Sequence, residues 1–221
     1  MLGQLAIYVI EVVCILVSVV VHEVSHGLAA NALGDDTAKR AGRLSFNPAK
    51  HLDPFGSVLL PLIMIVLGGP VFAYAKPVPY NPYRLKNRKF GELGVALAGP
   101  FSNLLLALFG ALMCHVVHSV YGDFSGVARE VLYWTYVFGR YFCLINLILL
   151  FFNVIPLPPL DGATVVSVFL NERGMEVFYK VKQYSMFILL LLLFVVPYIF
   201  GFDPLSWYFR NTAYALYGLL V

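Results

Sequence analysis

Four stretches of this chain are apolar over lengths that cross a lipid bilayer. A transmembrane helix takes about 20 residues, and residues 5–30, 93–120, 131–155 and 184–200 each meet or approach that length. Inside hydrocarbon every backbone N–H and C=O must find its partner within the chain, so such runs fold as helices. Composition agrees: 60% of the residues are hydrophobic and only 12% charged, against roughly a quarter charged in soluble domains. The mean hydropathy is +0.81, which excludes a disordered chain as well as a soluble one. The net charge of +3 is too mild to suggest nucleic acid. The first run lacks a basic leader and a small-residue cleavage site, and Glu11 interrupts it, so it reads as a span rather than a signal peptide. Cys14, Cys114 and Cys143 form no CxxC and sit in apolar runs, as small core residues do.

Two further segments are less regular. Residues 55–72 are apolar but contain Pro61, Gly68, Gly69 and Pro70, and residues 203–221 are aromatic-rich in the manner of an interfacial segment or a short last span. Basic residues decide between paths for the first. Of the 15 Lys and Arg, 12 fall in 31–54, 73–92 and 171–183. If 55–72 crossed the membrane, the first two of these segments would lie on opposite faces. If it dips in and returns, all three share the cytoplasmic face, as the positive-inside rule prefers. The N-terminus is then outside, and a re-entrant 55–72 needs protein or a wet cavity around it. Residues 43–47 and 72–79 flank it with strand-like composition. The expected fold is therefore all-α and polytopic, with four to six transmembrane helices, a re-entrant segment and a short membrane-associated β-hairpin. A single domain fills residues 1–221, with a core over about 5–170 and the last span or spans over 184–221. No internal repeat is visible.

Near the inner end of the first run stands His22-Glu23-Val24-Ser25-His26. Histidines at i and i+4 share a helix face and can share a zinc ion, with the intervening Glu23 placed to take a proton from water. At this composition the pattern arises by chance in only about three chains per thousand. Three ionisable groups at the end of a membrane span are costly unless paired or bound to metal. A catalytic zinc wants a third protein ligand and one open position. Asp161, in Asn153-Val154-Ile155-Pro156-Leu157-Pro158-Pro159-Leu160-Asp161-Gly162, is the candidate: the prolines end the preceding helix and present the carboxylate on a non-helical turn that Gly162 permits.

HEVSH on one span, Gly99-Pro100-Phe101-Ser102-Asn103 opening another, and Asn153 with Asp161-Gly162 after a third resemble the site-2 protease family of intramembrane zinc metalloproteases. The similarity covers roughly residues 15–170. The segments GRLSFNPAKHLDPFGS (42–57) and AYAKPVPYNP (73–82) look like the compact bacterial and archaeal branch without PDZ or CBS modules, although 35–66 is longer than its shortest members need. The resemblance implies one zinc per chain, bound by His22, His26 and Asp161, with Glu23 as general base and Asn153 holding substrate backbone or oxyanion. It implies cleavage of a membrane protein's transmembrane helix near the cytoplasmic face of a prokaryotic cell membrane. Asn146, seven residues before Asn153 on the same face, is a candidate second substrate contact or a plain helix–helix hydrogen bond. The strand-like pieces either offer an edge to unwound substrate or plug the cavity.

Other polar residues receive structural expectations. Glu11 is a candidate partner for Arg140, His115 and His118 read as interfacial, and His51 as structural. Gly94, Ala98 and Ser102 follow the small-xxx-small spacing of a close helix contact. Two competing functions are a transporter or channel with a metal or proton site, and an inactive homologue that only binds helices. The first lacks the paired broken helices of transporters, and the second should have lost Glu23 or a ligand. The oligomeric state is left open.

Overall fold

The computed structural model describes residues 2–66 and 73–221. Its elements are helices α1 (Leu2–Ala32), α2 (Thr37–Arg40), α3 (Leu60–Val66), α4 (Arg88–Val120), α5 (Gly126–Asn153), α6 (Asp161–Ser167), α7 (Glu172–Leu190), α8 (Val196–Phe200), α9 (Pro204–Asn211) and α10 (Ala213–Leu220). Wider π-type turns at Pro54–Leu59 and Leu191–Val195 lead into α3 and α8. By length and composition four helices can cross a membrane: Gly3–Ala32, Arg88–Asp123, Gly126–Asn153 and Glu172–Phe200. Valines and leucines along α1 (Val9, Val12, Val13, Leu16) stand exposed. In water such a stripe invites aggregation, and in lipid it costs nothing.

The spans extend beyond the apolar runs that announce them. The last begins at Glu172 rather than near 184, because the Asn171 side chain caps the helix by accepting from the Gly174 N–H. Gly99 and Pro100 do not open a helix. They lie a third of the way along α4, which starts at Arg88 under an Asn87 cap. Residues 203–221 form two eight-residue helices, each about 12 Å long and too short to cross alone. The second packs on α5 and closes the core around Ala107, Ala111, Cys143, Leu147 and Ala213.

The bundle is built on α4 against α5, with α1 laid on both. A Cβ placed on Gly110 would lie 2.7 Å from the Cys143 nitrogen and 2.8 Å from the Gly139 carbonyl, so the two backbones touch there. Gly110 and Gly139 therefore set a close contact between α4 and α5. Arg140 donates its Nε–H to the Tyr217 hydroxyl at 2.7 Å, which places it with α10 instead of with Glu11. His115 lies against the Leu220 carbonyl, 2.8 Å away.

Among the described residues no strand forms, so the expected β-hairpin is absent. Pro77, Pro79 and Pro82 supply no N–H to a ladder. The two pieces are joined by the Arg43 side chain donating to the Lys76 carbonyl. The extended strap 73–81 instead returns to the start of the helical segment that it follows. The Tyr74 N–H meets the Gly56 carbonyl at 3.1 Å, the Lys76 N–H meets the His51 carbonyl at 2.8 Å, and the Ser57 hydroxyl donates to the Tyr74 carbonyl. Gly56 is required here, because a Cβ would enter the Tyr74 ring. The helical run from Pro54 to Val66 is about 20 Å long, short of a bilayer's 30 Å. Residues 67–72, within the segment expected to re-enter, lie outside the described residues.

Candidate metal centre

Histidines 22 and 26 sit one turn apart on α1 and face α4 (Arg88–Val120). Gly99 is what lets them. A Cβ there would lie 2.5 Å from the His22 Cε1 and the His26 Nε2, so any other residue would push the imidazoles away. Each ring is then held from behind. His26 Nδ1 lies 2.7 Å from the Val95 carbonyl, which can only accept, so Nδ1 carries the proton and Nε2 presents its lone pair.

For His22 the same conclusion follows through three residues. The Asn146 Nδ2 lies 2.8 Å from the Phe142 carbonyl and 2.8 Å from the Ser18 hydroxyl, which fixes that amide's orientation. Its Oδ1 therefore accepts from Asn103 Nδ2 at 2.9 Å. That turns Asn103 Oδ1 toward His22 Nδ1, 2.6 Å away, where the imidazole must donate. Both amides are fully buried. Asn146 thus orients a ligand through Asn103 and lies away from the cavity; its hydrogen-bonding groups are already taken, so the substrate contact expected of it gives way to the helix–helix reading. The part played by Asn103 was missed, although an Asn in an apolar span four residues after Gly99 was a signal for it.

The third group arrives from below. After α5 ends at Asn153, residues 154–160 cross back and Asp161 opens α6. The carboxylate is therefore presented by the first residue of a short helix, not by a turn. Gly162 is needed for room rather than for an unusual backbone angle, because a Cβ would press into the Val154 carbonyl. Asp161 Oδ2 lies 3.1 Å from His22 Nε2 and 3.3 Å from His26 Nε2, and the two nitrogens are 3.1 Å apart. With both Nδ1 atoms bonded outward, three potential ligand atoms converge, and Oδ2 is buried without a hydrogen bond. Such an arrangement calls for a cation. The face of a zinc tetrahedron with bonds of about 2.0–2.1 Å has edges near 3.3 Å, so the triangle fits that ion. Among the described residues this is the one cluster of three such groups.

The triangle opens into a cavity of about 600 Å³ whose lining includes Glu23, Asn153, Tyr80 and Lys182. Glu23 Oε2 accepts the Val78 N–H of the strap at 2.9 Å. Asn153 donates one amide hydrogen to the Leu149 carbonyl at 3.0 Å and keeps the other. His51 is buried against the Ser45 carbonyl at 2.7 Å, bracing the strap away from the centre. The loop after α1 is tied to the strap as well. Asp35, fully buried, accepts from Thr37 and from the Asn81 N–H at 2.6 Å. Burial alone would raise its carboxyl pKa, but these hydrogen bonds and the nearby Arg84 outweigh that and hold it below the ordinary aspartate range.

The family model described as Peptidase family M50 matches residues 10–138 and 124–196. The chain belongs to peptidase family M50. It is 36% identical over 188 residues to "Putative zinc metalloprotease YwhC" of Bacillus subtilis, covering 84% of this chain and 80% of that one. "Putative zinc metalloprotease Rip2" of Mycobacterium tuberculosis strain H37Rv is 28% identical over 222 residues, covering 99% of this chain and 76% of the relative. "Putative zinc metalloprotease MJ0611" of Methanocaldococcus jannaschii is 26% identical over 164 residues, 74% of this chain and 72% of the relative. No solved structure gives a significant match. With M50 membership and four apolar helices long enough to span, the chain is a membrane member of a metalloprotease family.

Proposed function

We propose that the protein is an intramembrane zinc endopeptidase that cuts peptide bonds within or near the transmembrane helices of other membrane proteins, close to the cytoplasmic face of a prokaryotic cell membrane. The observation that carries this reading is the triangle of His22, His26 and Asp161 set in a cavity that also holds the Glu23 carboxylate. Zinc held there would polarise a scissile carbonyl and lower the pKa of a water toward about 7. Glu23, fixed through Oε2 by the strap, uses its other oxygen to take the proton from the attacking water and to pass it to the leaving nitrogen. Asn153 directs its remaining amide hydrogen at the substrate backbone or the developing oxyanion, a donor worth about 3 kcal/mol in comparable sites.

A transmembrane helix must unwind to be cut. The return of the strap to Gly56 and Ser57 supports a segment that dips into the membrane and comes back. In extended backbone, successive residues turn their N–H and C=O to opposite edges. Tyr74 and Lys76 have theirs bonded to Gly56, Ser57, His51 and Arg43. Ala75 and Pro77, which line the cavity, hold the other edge, and the unwound substrate pairs there.

Cleavage of a helical membrane reporter in proteoliposomes tests the proposal. Wild type should cut it, a chelator should stop the reaction and zinc should restore it, and Glu23→Gln should reduce turnover by at least about a thousandfold, the scale of losing a catalytic group. Equal turnover by wild type and Glu23→Gln would refute it.

A further inference from the structure

Helix α7 (Glu172–Leu190) walls the cavity with Lys182, Met186 and Leu189. Their spacing of four and then three residues sets them on one helix face. That face runs from a cation at the cytoplasmic end to a thioether and a leucine deeper in. Lys182 is exposed and has no ion-pair partner among the described residues. Both acids of the cavity are engaged elsewhere, Asp161 with the histidines and Glu23 with the strap. Lys182 is also the one Lys or Arg among the described residues that line the cavity.

We propose that Lys182 is a specificity residue that selects substrates with an acidic residue on the cytoplasmic flank of the segment to be cut; this rests on the protease reading above. The charge acts in both directions. Ordinary transmembrane helices carry Lys and Arg at their cytoplasmic ends, and a cation at the cavity mouth repels them. An Asp or Glu at that end pairs with Lys182 while the apolar residues above it lie against Met186 and Leu189. Discrimination of this kind comes as much from rejecting the common substrate as from attracting the rare one.

The test uses the full-length, zinc-loaded protein in proteoliposomes and two transmembrane peptides that differ only in two adjacent cytoplasmic-flank residues, Glu-Glu or Lys-Lys. Wild type should favour the Glu-Glu peptide in kcat/KM by about fivefold or more, the scale of one partly exposed ion pair. Lys182→Gln should bring the ratio close to one, and Lys182→Glu should invert it, with zinc content unchanged. An identical ratio in all three proteins overturns the proposal, as does an equal loss on both peptides, which would make Lys182 an anchor to lipid headgroups. Binding of the same peptides to Glu23→Gln proteins, with and without the Lys182 substitutions, reads the charge preference without turnover. Lys182-dependent binding with no cleavage by wild type would sink the protease reading alone, and cleavage with no charge dependence would sink this one alone.

Discussion

Two imidazoles and one carboxylate meet at mutual distances of 3.1–3.3 Å, and the residues behind them hold them in that arrangement. Asn103 is the test of that idea at single-residue scale. Asn103→Ala should leave the three ligands in place but remove the acceptor from His22 Nδ1, weakening zinc binding about 10- to 100-fold, as losses of such supporting hydrogen bonds do. Competition against a chromophoric chelator measures it, and unchanged affinity would mean that Asn103 serves packing alone. Gly99→Ala should be harsher, because its Cβ would occupy the space of both rings. Zinc should be lost while the helices persist by circular dichroism. The meeting of His22, His26 and Asp161 was legible in the sequence because HExxH has a fixed helical geometry and a buried carboxylate needs a partner. Asn103 and the true reason for Gly162 were not, since both depend on which backbone lies opposite.

At the scale of elements, the strap and the helix crossing carry separate predictions. Ala75→Pro deletes one N–H from the edge proposed for substrate. It should lower cleavage by about tenfold, one hydrogen bond's worth, with zinc retained; unaffected cleavage would rule out strand pairing there. Gly110→Leu would force α4 (Arg88–Val120) and α5 (Gly126–Asn153) apart where their backbones touch. It should cost at least about 2 kcal/mol, seen as a lower unfolding midpoint in detergent. The spans were readable from hydropathy, since lipid demands long apolar helices. Among the described residues no β-hairpin forms, because apolar, proline-rich composition specifies an extended path without specifying a partner, and here the partners are Arg43, His51 and Glu23. The meeting of Gly110 and Gly139 was not legible for a similar reason: small residues permit a close contact without specifying which residue lies opposite.

Across the whole molecule, α1 (Leu2–Ala32), α4 and α5 supply the rigid frame, and the loop and strap close one side of it through Asp35. That closure is acid-sensitive in a definite direction. The folded carboxyl titrates lower than the unfolded one, near 3.9, so its contribution is complete above that value and is lost as the pH falls through the lowered folded pKa. Asp35→Asn should lower stability near neutral pH and flatten the decline below about pH 4; a midpoint with the wild-type pH profile would contradict the assignment. In the proposed function the frame serves to hold one zinc between α1 and α6 (Asp161–Ser167). Zinc K-edge absorption on the purified protein, with metal counted per chain, tests it most directly. One zinc per chain with nitrogen and oxygen ligands at about 2.0–2.1 Å is expected, and no zinc in His26→Ala. Sulfur in the coordination shell at about 2.3 Å, or no bound zinc in the wild type, would contradict it.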